Sequence, residues 1–205
     1  ECVMRLVLFM ILFGMAVAGA CRAQEVSAGP VPYEAALEAE AAPLEGQTVL
    51  SQGDSRWSWF RIGTGTVREQ GCLVIAIAMV AIDRGFTADP LSLLRAFTLN
   101  GLFTRSGMLY TSSLSRIFPG LGVVMRGALS AGSLSQVEEQ LSQGHDVLVK
   151  LDRDLRRGGI QQHWVRVIRS VGGDLFVADP NGGRTGTLRE LYGTASVVRE
   201  MLVLG

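Results

Sequence analysis

One cysteine in the chain has a sequence environment suited to nucleophilic chemistry. Cys72 follows Gly71 and begins an uncharged, unbroken run that ends at Ile82. The length of the run favours a helix, and a helix that is apolar on every side is a buried one. A thiol in its first turn lies near unpaired amides and the positive end of the helix dipole, which both favour the thiolate. Gly71 has no side chain to obstruct a substrate carbonyl. Because buried cysteines are usually inert, the prediction of a nucleophile depends on suitable partners.

The partners that a thiolate nucleophile needs are a base and a group that orients the base. His163 opens one predicted strand, Asp179 closes the next, and Gly172-Gly173 between them is a hairpin turn signal. Both side chains are therefore expected at the same open end of a hairpin. We expect Asp179 to accept the Nδ1 proton of His163, leaving Nε2 to face the thiol. His145 is the rival base, and we interpret it as a solvated turn residue.

The composition limits the classes of function. The 205-residue chain has a formal net charge of zero, which argues against a general nucleic-acid binder. If Cys2 and Cys21 are removed with an N-terminal signal, one cysteine and two histidines remain, which are too few for a usual structural zinc site. We therefore expect neither a metal nor a cofactor.

The N-terminal residues have the pattern of a secretory signal. Arg5 precedes an apolar run over residues 6–17, and Ala18-Gly19-Ala20 supplies small residues for cleavage. The apolar run is short for a membrane span. We predict a signal peptide over residues 1–23, ending at Ala20 or Ala23, and an exported protein of the periplasm or extracellular space with no stable membrane span after processing. Lipid attachment at Cys21 is the alternative.

The rest of the chain divides into a linker and one domain. Residues 24–47 are rich in Ala, Glu and Pro and read as a flexible acidic linker. The domain is predicted over residues 48–205, with helices at 90–99 and 133–142 around a stretch, 103–132, that we interpret as irregular. Runs of β type dominate from residue 147 onward, and the last two are separate runs at 196–198 and 201–204. Helices first and an antiparallel sheet second is an α+β order.

An ordered set of motifs between residue 52 and about residue 191 resembles the papain-like cysteine peptidases of the bacteriocin-processing, double-glycine type, and most of all their stand-alone exported relatives. The motifs are Gln52-Gly53-Asp54 with Trp57, Gly71-Cys72 with Ala78-Met79-Val80 and Gly85, Pro90-Leu91, Asn100-Gly101, His163-Trp164-Val165 and Asp179-Pro180. The resemblance implies a papain-like fold, in which a helical half carrying the central nucleophile helix packs on an antiparallel β-sheet half.

The resemblance also implies the roles of individual residues. Cys72 would be the nucleophile, His163 the base and Asp179 the orienting residue. Gln52 would donate a hydrogen bond to the oxyanion, with the backbone N–H of Cys72 as the second donor. Gln70 is the alternative donor, although we expect its side chain to point along its own loop.

The implied activity is hydrolysis of peptide bonds through an acyl-thioester intermediate, with a peptide or protein as substrate. The alternatives are an isopeptide or amide hydrolase or acyl transferase that uses the same site, and a non-catalytic binding module. No membrane or ATPase domain is expected, so specificity for double-glycine leaders is not implied. Arg156 and Arg157 precede His163 in a long charged segment. This segment is either an ordinary solvated loop or a basic rim that favours acidic or carboxylate-bearing substrates.

Overall fold

A computed structural model of the chain describes residues 46–87, 89–130, 134–152 and 162–205. The predicted signal peptide, nearly all of the predicted linker, Ser133 and the Arg156–Arg157 pair lie outside the described residues. Within the described ranges, none of the helices has the length and apolar character that a membrane crossing requires.

The described residues form an α+β fold with one large antiparallel sheet. The helices are α1 (Val67–Gln70), α2 (Cys72–Asp83), α3 (Pro90–Leu99), α4 (Ser135–Ser142) and α5 (Leu188–Tyr192). The strands are β1 (Arg61–Ile62), β2 (Gly65–Thr66), β3 (Val123–Ala128), β4 (Asp146–Asp152), β5 (Gln162–Val171), β6 (Asp174–Asp179), β7 (Arg184–Thr187) and β8 (Val198–Leu204). Strands β1 and β2 form a small ribbon, and the other six form a sheet in the order β3-β8-β4-β5-β6-β7.

Helix α2 is the centre of one hydrophobic core, as its sequence predicts. Every residue from Val74 to Ala81 is buried, so the helix is covered on all sides. Helix α3 packs beside it and begins as expected, with Pro90 in the first turn and the Asp89 carboxylate accepting a 3.0 Å hydrogen bond from the Ser92 backbone N–H. The apolar run therefore forms the element that carries Cys72.

The large sheet is buried on both faces. Alternate residues of its strands point to opposite sides, which is the period of two that a strand imposes. Leu148, Trp164, Ala178 and Leu202 join the core around α2. Val147, Val165, Val177 and Val203 join a second core on the face that carries α4 and α5. The predicted helical half is thus supplemented by two helices on the second face.

Two predictions made from the sequence were incomplete or wrong. The stretch 103–132, interpreted as irregular, contains a 3-10 helix over Thr111–Arg116 and strand β3 over Val123–Ala128. Gly127 and the weak alternation of β3 hid the strand, which is formed by pairing with the distant strand β8. The predicted break before Met201 is also absent, because β8 continues from Val198 to Leu204.

The β5–β6 hairpin is formed as predicted and brings its two polar residues to one end. Gly172 and Gly173 adopt φ values of 55° and 76° in its turn, a conformation that favours glycine. The register pairs Arg166 with Ala178. His163, near the start of β5, and Asp179, at the end of β6, therefore lie at the end of the hairpin opposite the turn.

Candidate active site

Cys72 is the first residue of α2, directly after a glycine that packing requires. A Cβ atom on Gly71 would lie 2.5 Å from the carbonyl oxygen of Val67 and 2.7 Å from its Cγ1 atom. The backbone N–H of Gly71 also donates a 2.8 Å hydrogen bond to that carbonyl oxygen. The tight connection between α1 and α2 therefore excludes a side chain at position 71. This steric requirement is a second reason for the glycine, besides the access of a substrate carbonyl to the thiol.

The surroundings of the Cys72 sulfur favour the thiolate. Burial by itself would raise the pKa of the thiol, but a hydrogen bond from His163, its charge, and the backbone N–H groups of Trp164 and Leu73 together hold the pKa below its ordinary value. His163 is the complementary half of the pair. Burial would lower its pKa, but hydrogen bonds and charge from Asp179 and Cys72 raise the pKa above its ordinary value.

The histidine ring is oriented opposite to the sequence-based prediction. Nε2 of His163 lies 2.6 Å from Oδ1 of Asp179, so the other ring nitrogen, Nδ1, is left for the Cys72 sulfur. The expected pairing of Nδ1 with Asp179 was therefore wrong. Hairpin topology predicts that His163 and Asp179 lie at the same end of the hairpin. Which ring nitrogen contacts Asp179 and which contacts Cys72 depends on where the histidine side chain lies between β6 and the start of α2.

Asp179 is completely buried, and both of its carboxylate oxygens are paired. Oδ1 accepts hydrogen bonds from His163 and from the backbone N–H of Asn181, the latter at 2.8 Å. Oδ2 accepts from Nη2 of Arg184 at 2.7 Å and from the hydroxyl of Tyr192 at 2.8 Å. Burial alone would raise the pKa of the carboxyl, but these donors, led by His163, hold the pKa below its ordinary value.

Gln52 lines the same cleft as Cys72 and His163, on a loop tied to the turn after Asp179. Its backbone N–H donates a 2.8 Å hydrogen bond to the carbonyl of Pro180. Its side-chain Nε2 donates to the carbonyl of Arg68 at 2.7 Å, which uses one of the two amide hydrogens. The second hydrogen of this amide has no hydrogen-bond partner among the described residues.

The two alternative residues have other surroundings. Nε2 of Gln70 donates to the carbonyl oxygen of Ile62, and its amide packs close to Gly65 and Gly107, so the side chain braces its own loop. His145 lies beside β4, with Nδ1 at 3.0 Å from Oε1 of Gln140. It lines a separate surface depression and not the Cys72 cleft.

The cleft above Cys72 has a volume of about 350 Å³ and walls of mixed character. Cys72, His163, three glutamines and Asn181 line it together with Glu69, two arginines and several apolar side chains. The apolar members are Ile62, Leu73, Val74, Phe103, Met108, Leu109 and Trp164. The described residues contain no cluster of His, Cys, Asp or Glu that could hold a metal ion.

Sequence reasoning missed two partners of the buried carboxylate, Arg184 and Tyr192. The contact of Arg184 with Asp179 could have been predicted, because β7 follows the turn after Asp179 closely and the strand register pairs Asp179 with Arg184. The start of α5 could also have been predicted from the sequence, since Thr187 and Glu190 form a capping box. No local pattern shows that the next turn of this helix directs Tyr192 to Asp179, which depends on how α5 packs.

No protein-family model, curated protein or solved structure matches this chain.

Proposed function

We propose that this protein is an exported cysteine peptidase with a papain-like arrangement of its catalytic groups. The observation that carries the proposal is the polar chain from Cys72 through His163 to the buried Asp179. It begins at the N-terminus of a buried helix and opens into a cleft that Gln52 also lines. The N-terminal signal pattern supports export.

The first half of the reaction forms an acyl-enzyme. The Cys72 thiolate attacks the scissile carbonyl carbon, and the carbonyl electron pair moves onto oxygen. Gln52 Nε2 and the Cys72 backbone N–H, which the helix leaves unpaired, would stabilise this oxyanion. When the tetrahedral intermediate collapses, the C–N bond breaks and the Nδ1 proton of His163 passes to the leaving amine.

The second half restores the enzyme. A water molecule attacks the thioester carbonyl while Nδ1 of His163, now neutral, accepts its proton. Collapse of this intermediate breaks the C–S bond, releases the carboxylic acid and regenerates the thiolate beside the imidazolium. Asp179 remains ionised throughout, because hydrogen-bond donors on both of its oxygens stabilise the charged form.

The proposal is tested with a biotinylated peptidyl vinyl sulfone and mapping of the modified residue by mass spectrometry. Cys72 should react about 10²-fold or more faster than glutathione, the reference thiol in the same mixture, because His163 holds Cys72 as the thiolate. His163→Ala should remove this advantage, and Cys72→Ala should remove the label. A Cys72 reaction rate no higher than that of glutathione would contradict the proposal and favour a binding module.

A further inference from the structure

A pair of cations lies around the tryptophan that follows His163. The Arg126 guanidinium and the Lys150 ammonium each lie 5.9 Å from the ring centroid of Trp164, within the range of a cation–π contact. Trp164 is 6% exposed, and it is one of the residues that line the cleft. The cations come from β3 and β4, the two strands on either side of β8.

One carboxylate serves both cations. Glu200 of β8 accepts a 2.5 Å hydrogen bond from Nε of Arg126 at Oε1 and pairs with Nζ of Lys150 at Oε2. Burial would raise the pKa of Glu200, but the two cations hold the pKa below its ordinary value, so the carboxyl is ionised at neutral pH. Two positive charges and one negative charge leave this group with one net positive charge.

Arg126 is the member of this group that opens to the cleft. Its side chain is 43% exposed, against 16% for Lys150, and it lines the cleft together with Cys72 and His163. Within this guanidinium, only Nε donates a hydrogen bond to Glu200. Among the residues that the structure describes, the two terminal nitrogens of this guanidinium have no hydrogen-bond partner. A guanidinium held through Nε keeps its planar terminal fork available for a carboxylate.

The other charged residues of the cleft wall, Arg68 and Glu69, each have a hydrogen-bond partner. The Glu69 carboxylate is occupied by the backbone N–H and hydroxyl of Thr66 at the start of α1. Arg68 donates to the carbonyl of Gly53 at 3.3 Å. Glu69 is the only carboxylate among the described residues that line the cleft.

We infer that Arg126 is a specificity-determining residue that binds a carboxylate of the peptide substrate, either an Asp or Glu side chain or a free C-terminus. This inference rests on the proposed peptidase function. Trp164 supplies an apolar surface for the carbon stem of such a residue, and Glu200 with Lys150 holds the guanidinium in place. The residues that carry this inference come from the sheet, not from the loop that contains Arg156 and Arg157.

The test measures binding separately from catalysis, in the Cys72→Ala protein. Its probes are decapeptide pools acetylated at the N-terminus, in which one position is fixed as Glu or Gln, one position at a time, and the rest are randomised. The pools are prepared with an amide or a free carboxylate at the C-terminus. Captured peptides are quantified by mass spectrometry at low and high salt.

We expect Glu at one position, or the free C-terminus, to be enriched about tenfold over its neutral counterpart, and less at high salt. The amidated pools show which source of carboxylate is bound. Arg126→Gln should bring this ratio close to one, and Arg126→Lys should retain part of it, because Lys keeps the charge but loses the fork. Arg116→Gln, outside the cleft lining, is the matched control and should keep the ratio.

Equal capture of Glu and Gln pools, or a preference that survives in Arg126→Gln, would overturn the assignment of Arg126. The proposed peptidase function would then still stand or fall on the labelling of Cys72. Conversely, a carboxylate preference that depends on Arg126 would support the assignment even if the wild-type protein failed to react at Cys72, in which case the cleft would be a binding site.

Discussion

At the scale of single residues, the site is a line of buried polar contacts in which each group fixes the next. Asp179 binds Nε2 of His163, and Nδ1 is thereby directed to Cys72. The carboxylate is itself held by donors on both oxygens, so it cannot rotate without breaking several hydrogen bonds. The consequence is a thiolate–imidazolium pair with a defined range of pH.

The thiolate and the imidazolium are both present only between two pH limits. The thiolate is lost as pH falls through the lowered pKa of Cys72, and the imidazolium is lost as pH rises through the raised pKa of His163. The rate of peptide hydrolysis should therefore be bell-shaped in pH, because acylation needs the thiolate as nucleophile and the imidazolium as acid. Asp179→Asn removes the negative charge that raises the pKa of His163, so the alkaline limb should move to lower pH and the rate at pH 7 should fall roughly tenfold or more.

Arg184→Gln is the matched control for this prediction. It removes a positive charge from the same carboxylate, so the alkaline limb should move the other way, and by less because Arg184 is 47% exposed. The alkaline limb is measured from kcat/KM of peptide hydrolysis and from the NMR titration of the His163 ring, and the acid limb also from the second-order rate of iodoacetamide with Cys72. An alkaline limb that stays in place in Asp179→Asn would show that the carboxylate does not control the histidine.

The second residue-scale prediction separates the two glutamines. Gln52→Ala should lower kcat by about 10²–10³-fold with little change in KM, because its bond to the oxyanion strengthens only in the transition state. Gln70→Ala leaves the Ile62 carbonyl without its donor, so it should lower the free energy of unfolding by about 1–3 kcal/mol and affect kcat less. Steady-state kinetics and urea unfolding of both variants provide the measurement, and the reverse pattern would assign the oxyanion role to Gln70.

At the scale of elements, helix α2 is fixed to the sheet by charges at its C-terminal end. Arg166 of β5 is 5% exposed and pairs with Asp83 at the end of α2 and with Asp146 of β4. Arg84 also binds Asp146, at 2.6 Å, and the backbone N–H of Thr48 donates to Asp83 at 3.0 Å. These contacts determine where along β5 the helix lies, and therefore where its first residue, Cys72, meets His163.

The element-scale prediction is that Arg166→Met lowers the free energy of unfolding by about 3–5 kcal/mol, because two carboxylates lose their shared buried cation. In urea unfolding the midpoint should fall while the m-value stays constant. Arg61→Met is the control: Arg61 is exposed and the change should stay within about 0.5 kcal/mol. A loss below about 1 kcal/mol in Arg166→Met would mean that apolar packing, not this cluster, holds the helix on the sheet.

At the scale of the whole molecule, the order of the sheet makes its centre depend on distant parts of the chain. Strand β8, near the C-terminal end of the sequence, lies between β3 and β4. Its alternate residues enter both cores, with Leu202 and Leu204 on the α2 side and Met201 and Val203 on the other. Neither core is complete until this strand has been inserted, and the same insertion places Glu200 between Arg126 and Lys150.

Features of the fold that depend on residues close together in the sequence were predictable from the sequence alone. The unbroken apolar run was sufficient for α2, because a segment without charge or breaker has to be buried and is long enough for a helix. Gly172-Gly173 was sufficient for the β5–β6 turn, and the turn placed His163 and Asp179 at one end. The α+β class followed from the order of these local patterns.

Features that depend on register and docking were not predictable in this way. Strand β3 forms because β8 pairs with it, and its own sequence alternates too weakly to indicate a strand. The ring nitrogen of His163 that meets Cys72, and the approach of Tyr192 to Asp179, follow from how helices pack against the sheet. Such contacts join residues far apart in sequence, and their geometry results from the packing of both cores. Local sequence patterns do not predict that packing.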